Sequence, residues 1–326
     1  MYLSKPIIFS LLLAIGAALI SILQPFGVSP DYLDYDFFFE QLRSNHSYQL
    51  TESRFEFGFL YLSYFLTLIF SENNLIFGFF AFIASWFKFY FVGKFSPKVF
   101  LWLVLIFYFF KFFPLLELNQ IRAALSSSFL VAVFYYNSIR RYKLVSILAI
   151  SAILFHNSAA LLLPFILIPD KLITQSKIFI ISIVVYLTCY FTSDILVPLM
   201  ANHVAVFDTY LDGGLESSRR HAVSPVFFAE FLLIGLSLIF WNNLTQVMRK
   251  VLAIEIIGFS IFYGYIDLNI VAVRGREFFS IFWILYIAQF PYVVKKVKIS
   301  ILVFIFGSTA IAFYTYFYLD FFMTKF

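Results

Sequence analysis

Long apolar runs dominate this sequence and restrict the folds that it can adopt. Hydrophobic residues make up 62% of the chain and charged residues 13%, whereas a soluble domain has about 25% charged residues. A helix needs roughly 20 apolar residues to cross the hydrocarbon core of a membrane, and in lipid its backbone groups must bond to one another. The runs lack the alternating pattern of barrel strands. We therefore predict an all-α polytopic membrane protein with about nine full transmembrane helices, at residues 7–24, 75–93, 99–113, 120–136, 178–198, 225–241, 250–267, 277–294 and 299–319.

The charges between the runs predict the orientation of the chain. Lys and Arg are enriched in cytoplasmic loops, so Lys5 indicates a cytoplasmic N-terminus, and nine crossings then leave the C-terminus outside. Lys88, near its helix end, is assigned to the cytoplasmic side together with five basic clusters: Lys94/Lys98, Arg140/Arg141/Lys143, Lys171/Lys177, Arg249/Lys250 and Lys295/Lys296/Lys298. The chain is then a single integral membrane domain, 1–326, with outer loops 25–57, 199–224 and 268–276 and an outer turn at 114–120.

Two further apolar segments do not fit as simple crossings. Segment 58–70 follows an outer loop and precedes the full crossing 75–93, so it should be a re-entrant or interfacial helix. Segment 144–168 has basic residues on both flanks, and a single crossing would put one flank outside. We favour a broken helix or hairpin that bends at His156-Asn157-Ser158; the alternative is one crossing with a polar kink. Irregular backbone at membrane depth is tolerated where it is buried or lines a wet cavity, so both breaks indicate a binding site.

Polar residues within or beside the apolar segments are candidates for function, because ionisable groups there cost a few kcal/mol each. Carboxylates and rings alternate in the loop that contains Asp34 and Tyr35, a combination suited to binding sugars. Glu56 stands where the re-entrant helix begins. The alternative interpretation of this loop is a solvated surface.

Two more candidates stand at the start and in the middle of apolar segments. Arg122 opens a helix next to Gln120, and an Arg beside a helix N-terminus can bind an anion; alternatively it snorkels or pairs with Glu117. His156 lies within segment 144–168, and the near-neutral pKa of imidazole suits a general base or proton shuttle. Alternatively His156 is a structural group whose hydrogen bonds are satisfied.

Four arginines lie in predicted outer loops, against the usual charge rule. Arg219 and Arg220 belong to a His203–His221 loop that resembles a mobile lid and also contains Tyr210, a candidate for sugar binding; alternatively it is a plain connection. Arg274 and Arg276 either bind an anionic ligand or pair with nearby acids. If the fold brings these four residues and Arg122 together, they form a diphosphate site, because guanidinium forks match phosphate oxygens.

Several other classes of site are excluded by the sequence. A single cysteine leaves no intramolecular disulfide and no cysteine metal cluster. Motifs for nucleotide hydrolysis, zinc proteolysis and α/β-hydrolase chemistry are absent. The net charge of +5 reflects membrane topology and not nucleic-acid binding. We predict no cofactor and no metal site.

Several of these segments together resemble the EpsG-like branch of the Wzy-type polysaccharide polymerases. They are Asp34-Tyr35, Glu56-Phe57-Gly58, Asn119-Gln120-Ile121-Arg122 with the small residues that follow, His156-Asn157-Ser158-Ala159, and Arg274 with Arg276. They occur in the expected order over most of the chain. The order of Gln120 and Arg122 departs from the family pattern, which leaves the role of Gln120 open.

The resemblance implies a GT-C-like membrane glycosyltransferase at the outer face of the bacterial inner membrane. The donor would be a growing polysaccharide on undecaprenyl diphosphate and the acceptor a single lipid-linked repeat unit, and no cofactor is needed. Arg122, Arg274 and Arg276 would stabilise the leaving diphosphate, with Arg219 and Arg220 as further diphosphate ligands, and His156 or Glu56 would accept the hydroxyl proton. Sugar ligands would be Asp34, Tyr35, Gln120, Ser158 and Tyr210.

The implied partners are undecaprenyl-diphosphate-linked oligosaccharides, membrane lipids, a chain-length regulator and a flippase, with no nucleic acid. The product would be an O-antigen of lipopolysaccharide, a capsule or an exopolysaccharide. An O-antigen ligase is an alternative, although its large outer loop usually comes later in a longer chain. A flippase or transporter should show internal repeats and a charged through-path, and a membrane acyltransferase has no use for the outer arginines.

Overall fold

The computed structural model describes residues 5–24, 29, 31–44, 55–95, 104–105, 107–203, 225–289 and 293. All regular elements among them are helical. Twelve are α-helices: α1 Lys5–Ile22, α2 Tyr32–Ser44, α3 Phe57–Ile69, α4 Asn73–Phe95, α5 Ile121–Ser138, α6 Tyr142–Phe155, α7 Ala159–Ile166, α8 Gln175–His203, α9 Pro225–Ile239, α10 Gln246–Gly264, α11 Asn269–Ser280 and α12 Trp283–Ala288. A π-helix runs from Tyr108 to Glu117, and short 3-10 turns occupy Asp170–Leu172 and Trp241–Asn243.

The helices form two compact units, Met1–Leu167 and Ile168–Phe326. In the first unit α4 packs between α1 and α5, and α5 packs on α6. In the second unit α10 packs on α8, α11 and α12. That the whole chain forms a single integral membrane domain stays a prediction.

The helices have the surface of a membrane protein. Two of them, Asn73–Phe95 and Gln175–Ser193 within α8, are long and apolar enough to cross a membrane, and four shorter helices are also apolar. Apolar side chains of α8 that a soluble protein would bury are more than half exposed: Phe179, Ile180, Val184, Phe191 and Ile195. Because such a surface needs an apolar solvent, the helical architecture indicates a membrane protein.

Six of the predicted crossings coincide with described helices, and two others have a different local structure. Within the predicted crossing 99–113, residues 108–113 begin the π-helix, which extends to Glu117 and includes Pro114. Proline has no N–H and interrupts the ordinary helical hydrogen bonds. The predicted crossing 277–294 is divided between α11 and α12, and α11 also covers most of the predicted outer loop 268–276.

The structure also bears on the predicted loops and on the predicted cytoplasmic side of Lys88. Segment 25–57, predicted as an outer loop, contains the helix α2. Its many charged and aromatic residues had led us to interpret it as a loop. Lys88 is not a marker of the cytoplasmic side, because it is fully buried and pairs with Glu117 inside the first unit. The predicted crossing 299–319 and most of the loop 199–224 lie outside the described residues.

The predicted break in segment 144–168 is present. α6 ends at Phe155, His156 has an extended backbone, and α7 begins at Ala159. Asn157 and Ser158 are residue types that favour turns over helix interiors. The Asn137 side chain donates to the carbonyl oxygen of Ile166 at 3.1 Å, so α7 returns to the end of α5 from which α6 departs. The segment is therefore a helical hairpin with His156 at its bend.

Helices α2 and α3 pack side by side and hold Glu56. The Phe55 ring lies 4.3 Å from the Phe38 ring at one end of α3, and Arg43 donates to the carbonyl oxygen of Phe70 at the other end. Both ends of α3 therefore lie along α2.

Candidate functional site

Three helix ends of the first unit supply the charged side chains of one site. Glu56 is the N-cap residue of α3, Arg122 lies in the first turn of α5, and His156 is the C-cap residue of α6. Helix ends carry backbone groups without partners inside the helix, so they tolerate polar side chains better than helix interiors do. The apolar bodies of these helices pack together and bring the polar ends into contact.

The carboxylate of Glu56 connects the other two residues. Its Oε2 atom accepts a hydrogen bond of 2.6 Å from Nη1 of Arg122, and its Oε1 atom lies 3.1 Å from Nδ1 of His156. Oε1 also accepts a bond of 3.3 Å from the backbone N–H of Asn157. The side chains of Glu56, Arg122 and His156 are 8%, 18% and 21% exposed. The site is thus enclosed but not sealed.

These contacts keep Glu56 ionised. Burial opposes its ionisation, but the hydrogen bond from His156 and the charge of Arg122 outweigh burial and lower the pKa of the Glu56 carboxyl to about 2. An ionised carboxylate has no proton to donate, so the Nδ1 atom of His156 must carry the hydrogen in this bond. In the neutral ring Nε2 is then the basic nitrogen. The arrangement resembles the acid–histidine pairing that orients a general base.

Arg122 is held by an aromatic wall as well as by Glu56. Its Nε atom donates to the Tyr35 hydroxyl at 3.2 Å. Its guanidinium lies over the Phe55 ring at 4.7 Å and over the Tyr35 ring at 5.9 Å. A position over aromatic rings combined with two directed hydrogen bonds suits arginine and not lysine. Nη2 takes no part in the bonds to Tyr35 and Glu56.

Further hydrogen bonds hold the neighbouring helix ends together. The Asn119 side chain accepts a bond of 3.0 Å from the backbone N–H of Asp31. The Tyr32 hydroxyl donates to the side chain of Asn74 at 2.7 Å. These bonds tie the start of α2 to the start of α4 and to the turn before α5.

The first unit thus brings together several residues predicted from the sequence. His156, Arg122, Glu56 and Tyr35 are in direct contact. Gln120 is the N-cap residue of α5, and Ser158 stands in the bend next to Asn157 and is the N-cap residue of α7. Asp34 lies one residue before Tyr35 in α2 and is exposed.

The arginines of the second unit occupy two different environments. Arg274 is exposed on α11. Arg276 is buried, and its guanidinium lies 2.6 Å from Glu230 and 2.8 Å from Glu255, over the Phe259 ring at 4.1 Å. We had expected Arg276 to bind a diphosphate or to pair with Glu277 or Asp267. Because two carboxylates already pair with it away from solvent, the geometry favours a structural role for Arg276 within this unit, and its binding of a diphosphate stays a prediction.

Two residues in or near the site had no role predicted from the sequence. Phe55 supplies the ring under Arg122, and Asn119 anchors Asp31; both stand directly beside residues that were singled out. Tyr210, Arg219 and Arg220 lie outside the described residues. Within the described part of the chain, no three His, Cys, Asp or Glu side chains are grouped as a metal ion would require.

Comparison with known protein families gives a match. The model of the EpsG family matches residues 7–325, nearly the whole chain. Comparison with curated protein sequences and with solved structures finds no match. The family match confirms the resemblance noted in the sequence and indicates a glycosyltransferase-like polysaccharide polymerase of the membrane. The chain belongs to the EpsG family.

Proposed function

We propose that this protein joins undecaprenyl-diphosphate-linked oligosaccharide repeat units into a surface polysaccharide, at the outer face of the bacterial inner membrane. The observation that carries the proposal is the Glu56 carboxylate in contact with both His156 and Arg122. His156 can accept a proton, and Arg122 can bind an anion. A glycosyl transfer with a diphosphate leaving group needs these two capacities.

The direction of α5 and α6 supports an outer site. Arg140, Arg141 and Lys143 lie at the turn between these helices, whereas Arg122 and His156 lie at their other ends. The 18 residues of α5 span about 27 Å, close to the thickness of the hydrocarbon core. Because basic residues favour the cytoplasmic side, the site belongs to the outer side. Nine crossings with a GT-C-like arrangement, and an α3 that does not cross, complete the proposed topology.

His156 is the proposed general base. The acceptor hydroxyl transfers its proton to Nε2 of His156 while its oxygen attacks the anomeric carbon of the donor. The bond between that carbon and the diphosphate oxygen breaks, and undecaprenyl diphosphate leaves with the electron pair. Glu56 is a poor alternative base because its pKa is about 2. Its negative charge instead stabilises the imidazolium and holds the ring tautomer.

Arg122 is the proposed contact to the leaving diphosphate. Its Nη2 group can donate to a phosphate oxygen while Nη1 and Nε keep their bonds to Glu56 and Tyr35. Developing negative charge is stabilised most by a donor that is already oriented. Arg274, Arg219 and Arg220 remain further proposed diphosphate ligands, and Asp34, Tyr35, Gln120, Ser158 and Tyr210 proposed sugar ligands.

We propose that the reaction does not need a metal ion, because the arginines supply the positive charge. Purified protein should keep its activity in excess chelator. Loss of activity with chelator, restored by a divalent ion, would contradict this part of the proposal.

The proposal is tested by the glycans of a strain that lacks the gene. Loss of a polymerase leaves a single repeat unit on each lipid carrier or acceptor. Loss of a ligase leaves long chains on the lipid carrier, and loss of a flippase leaves no lipid-linked units outside. Either of the last two patterns would refute the proposed function.

A further inference from the structure

A second ion pair lies in the interior of the first unit. Lys88 is in the body of α4, and Glu117 is the last residue of the π-helix. Nζ of Lys88 donates to Oε1 of Glu117 at 2.5 Å, and both side chains are fully buried. Removing two charges from water is costly even when they pair. Ionisable residues inside an apolar helix bundle therefore call for a role.

A second hydrogen bond also joins α4 to the π-helix. Ser85 lies one turn before Lys88, and its hydroxyl is 3.0 Å from the hydroxyl of Tyr108. Tyr108 is the first residue of the π-helix and Glu117 is the last. Both ends of the π-helix are thus attached to the same turn of α4. π-Helices are rare and are frequently found at functional sites.

Backbone hydrogen bonds link the end of the π-helix at Glu117 to the start of α5. The backbone N–H of Leu118 bonds to Phe113, and that of Gln120 bonds to Leu115, each at 3.1 Å. The N–H of Ala124 then bonds to Gln120 at 2.8 Å as α5 begins. We therefore expect a shift at the end of the π-helix to move the first turn of α5, where Arg122 lies.

We propose that Lys88 and Glu117 are positioning residues for the reaction at Glu56, Arg122 and His156. The ion pair fixes the end of the π-helix against α4 and so sets the place of the Arg122 guanidinium relative to the Glu56 carboxylate. Neither residue contacts substrate in this account. The inference rests on the proposed function, because it assigns the pair a role in that reaction.

Removing one partner leaves an unpaired buried charge, and such single variants are expected to fold poorly. Replacing both charges by apolar side chains of similar size is often tolerated. The informative variant is therefore the double replacement Lys88→Met with Glu117→Leu, assayed with lipid-linked repeat units after its melting temperature is measured. We expect a melting temperature near that of the wild type and a kcat lower by about 10- to 100-fold, because small displacements of a catalytic group have effects of this size. KM should change little.

Two further measurements separate positioning from plain structural support. In the apolar-pair background, Arg122→Lys should cost much less kcat than it does in the wild type, because Arg122 is already displaced. Glu117→Asp keeps the charge pair but shortens the reach, so it should fold and still lower kcat several-fold. This variant decides the question if the double replacement does not fold. Lys94→Met makes the same chemical change on the exposed part of α4 and should leave kcat unchanged.

The outcomes distinguish this inference from the function on which it rests. If wild-type protein forms no polymer, the proposed function fails. If the wild type polymerises while Glu117→Asp keeps full kcat, the positioning role is overturned and the function stands. Additive effects of Arg122→Lys and the apolar pair would overturn it in the same way.

Discussion

The Glu56 carboxylate lies 3.1 Å from the Nδ1 atom of His156, although 100 positions separate the two residues in the sequence. Because Glu56 is ionised, the His156 ring must present its N–H to this oxygen, and Nε2 becomes the basic nitrogen. The same carboxylate holds Arg122 on its other side. A single acidic residue therefore sets the proton position on the proposed base and the location of the proposed diphosphate ligand.

Replacing the proposed base should remove catalysis and leave the fold intact. His156→Gln should lower kcat by about 10²- to 10⁴-fold, the usual contribution of a general base. The melting temperature in detergent should change little, because the side chain is partly exposed and at a helix end. The measurement is polymer formation by purified protein. Ser151→Ala, five residues earlier on α6, loses a hydroxyl that donates to the carbonyl oxygen of Ile147 at 3.0 Å, and this variant should stay active.

The ionised state of Glu56 should appear as a pH-dependent contribution to stability. Its pKa is lowered from 4.5 to about 2 in the folded protein, so the stabilisation is fully present above pH 4.5 and is lost as pH falls toward about 2. The melting-temperature difference between wild type and Glu56→Gln should follow this course. A difference that is constant across this range would show that the carboxyl is not ionised as described.

Glu56→Gln should also impair catalysis at neutral pH. The amide can donate to Nδ1 of His156 and so favour the tautomer with the proton on Nε2, where the base is needed. We expect kcat to fall by at least about 10²-fold. Glu56→Asp keeps the charge and should retain more activity than Glu56→Gln; the opposite order would contradict the tautomer argument.

Arginine at position 122 should not be replaceable by lysine. A lysine ammonium can pair with Glu56, but it has no planar group to stack on the Phe55 ring. It also cannot donate to the Tyr35 hydroxyl and to a phosphate oxygen at the same time. Arg122→Lys should therefore lower kcat/KM by about 10- to 100-fold, equivalent to about 1.4–2.7 kcal/mol. Steady-state kinetics with lipid-linked repeats provide the measurement. Full activity with lysine would mean that only the charge at this position matters.

The contact between α3 and α6 depends on a glycine beside Glu56. A Cβ on Gly58 would lie 2.8 Å from the carbonyl oxygen of Leu154 and 3.0 Å from its Cβ. Gly58→Ala should push α3 away from α6, separate Glu56 from His156, and lower both activity and melting temperature. Gly93→Ala is the matched control, since a Cβ there meets no atom within 4 Å in the described part of the chain outside its chain neighbours and the backbone of its own helix, and alanine there should be neutral or slightly stabilising.

Two arginines on α11 should respond differently to the same substitution. Arg276→Met leaves Glu230 and Glu255 without this buried counter-charge and should destabilise the protein by about 3–5 kcal/mol. Arg274→Met changes an exposed side chain and should leave the melting temperature nearly unchanged. If Arg274 binds diphosphate, its variant loses activity in a folded protein. A stable Arg276→Met protein would refute the structural role of Arg276.

Much of the first unit could be predicted from local signals in the sequence. Basic residues on both flanks of 144–168 conflict with a single crossing, and the helix does break at His156. Polar residues at the ends of apolar segments identified Glu56, Arg122 and His156, because helix ends are where a membrane protein can expose such groups. The observed contacts among them support that logic.

Other contacts depend on partners far away in the sequence. Lys88 resembles a loop lysine in the sequence, but it pairs with Glu117 in the interior. Arg276 contacts Glu230 and Glu255, and nothing in the sequence indicated either contact. A single sequence does not reveal such pairings. The π-helix was also missed, since its apolar residues look like an ordinary crossing and Pro114 alone does not specify the register.

Polymer formation by purified protein tests the central claim most directly. Wild-type protein and His156→Gln, reconstituted in lipid, would be incubated with labelled undecaprenyl-diphosphate-linked repeat units and the products separated by length. The account predicts a ladder of products that grow by one repeat unit from the wild type and only the starting unit from the variant. A wild type that forms no ladder, or a variant that forms the same ladder, would contradict it.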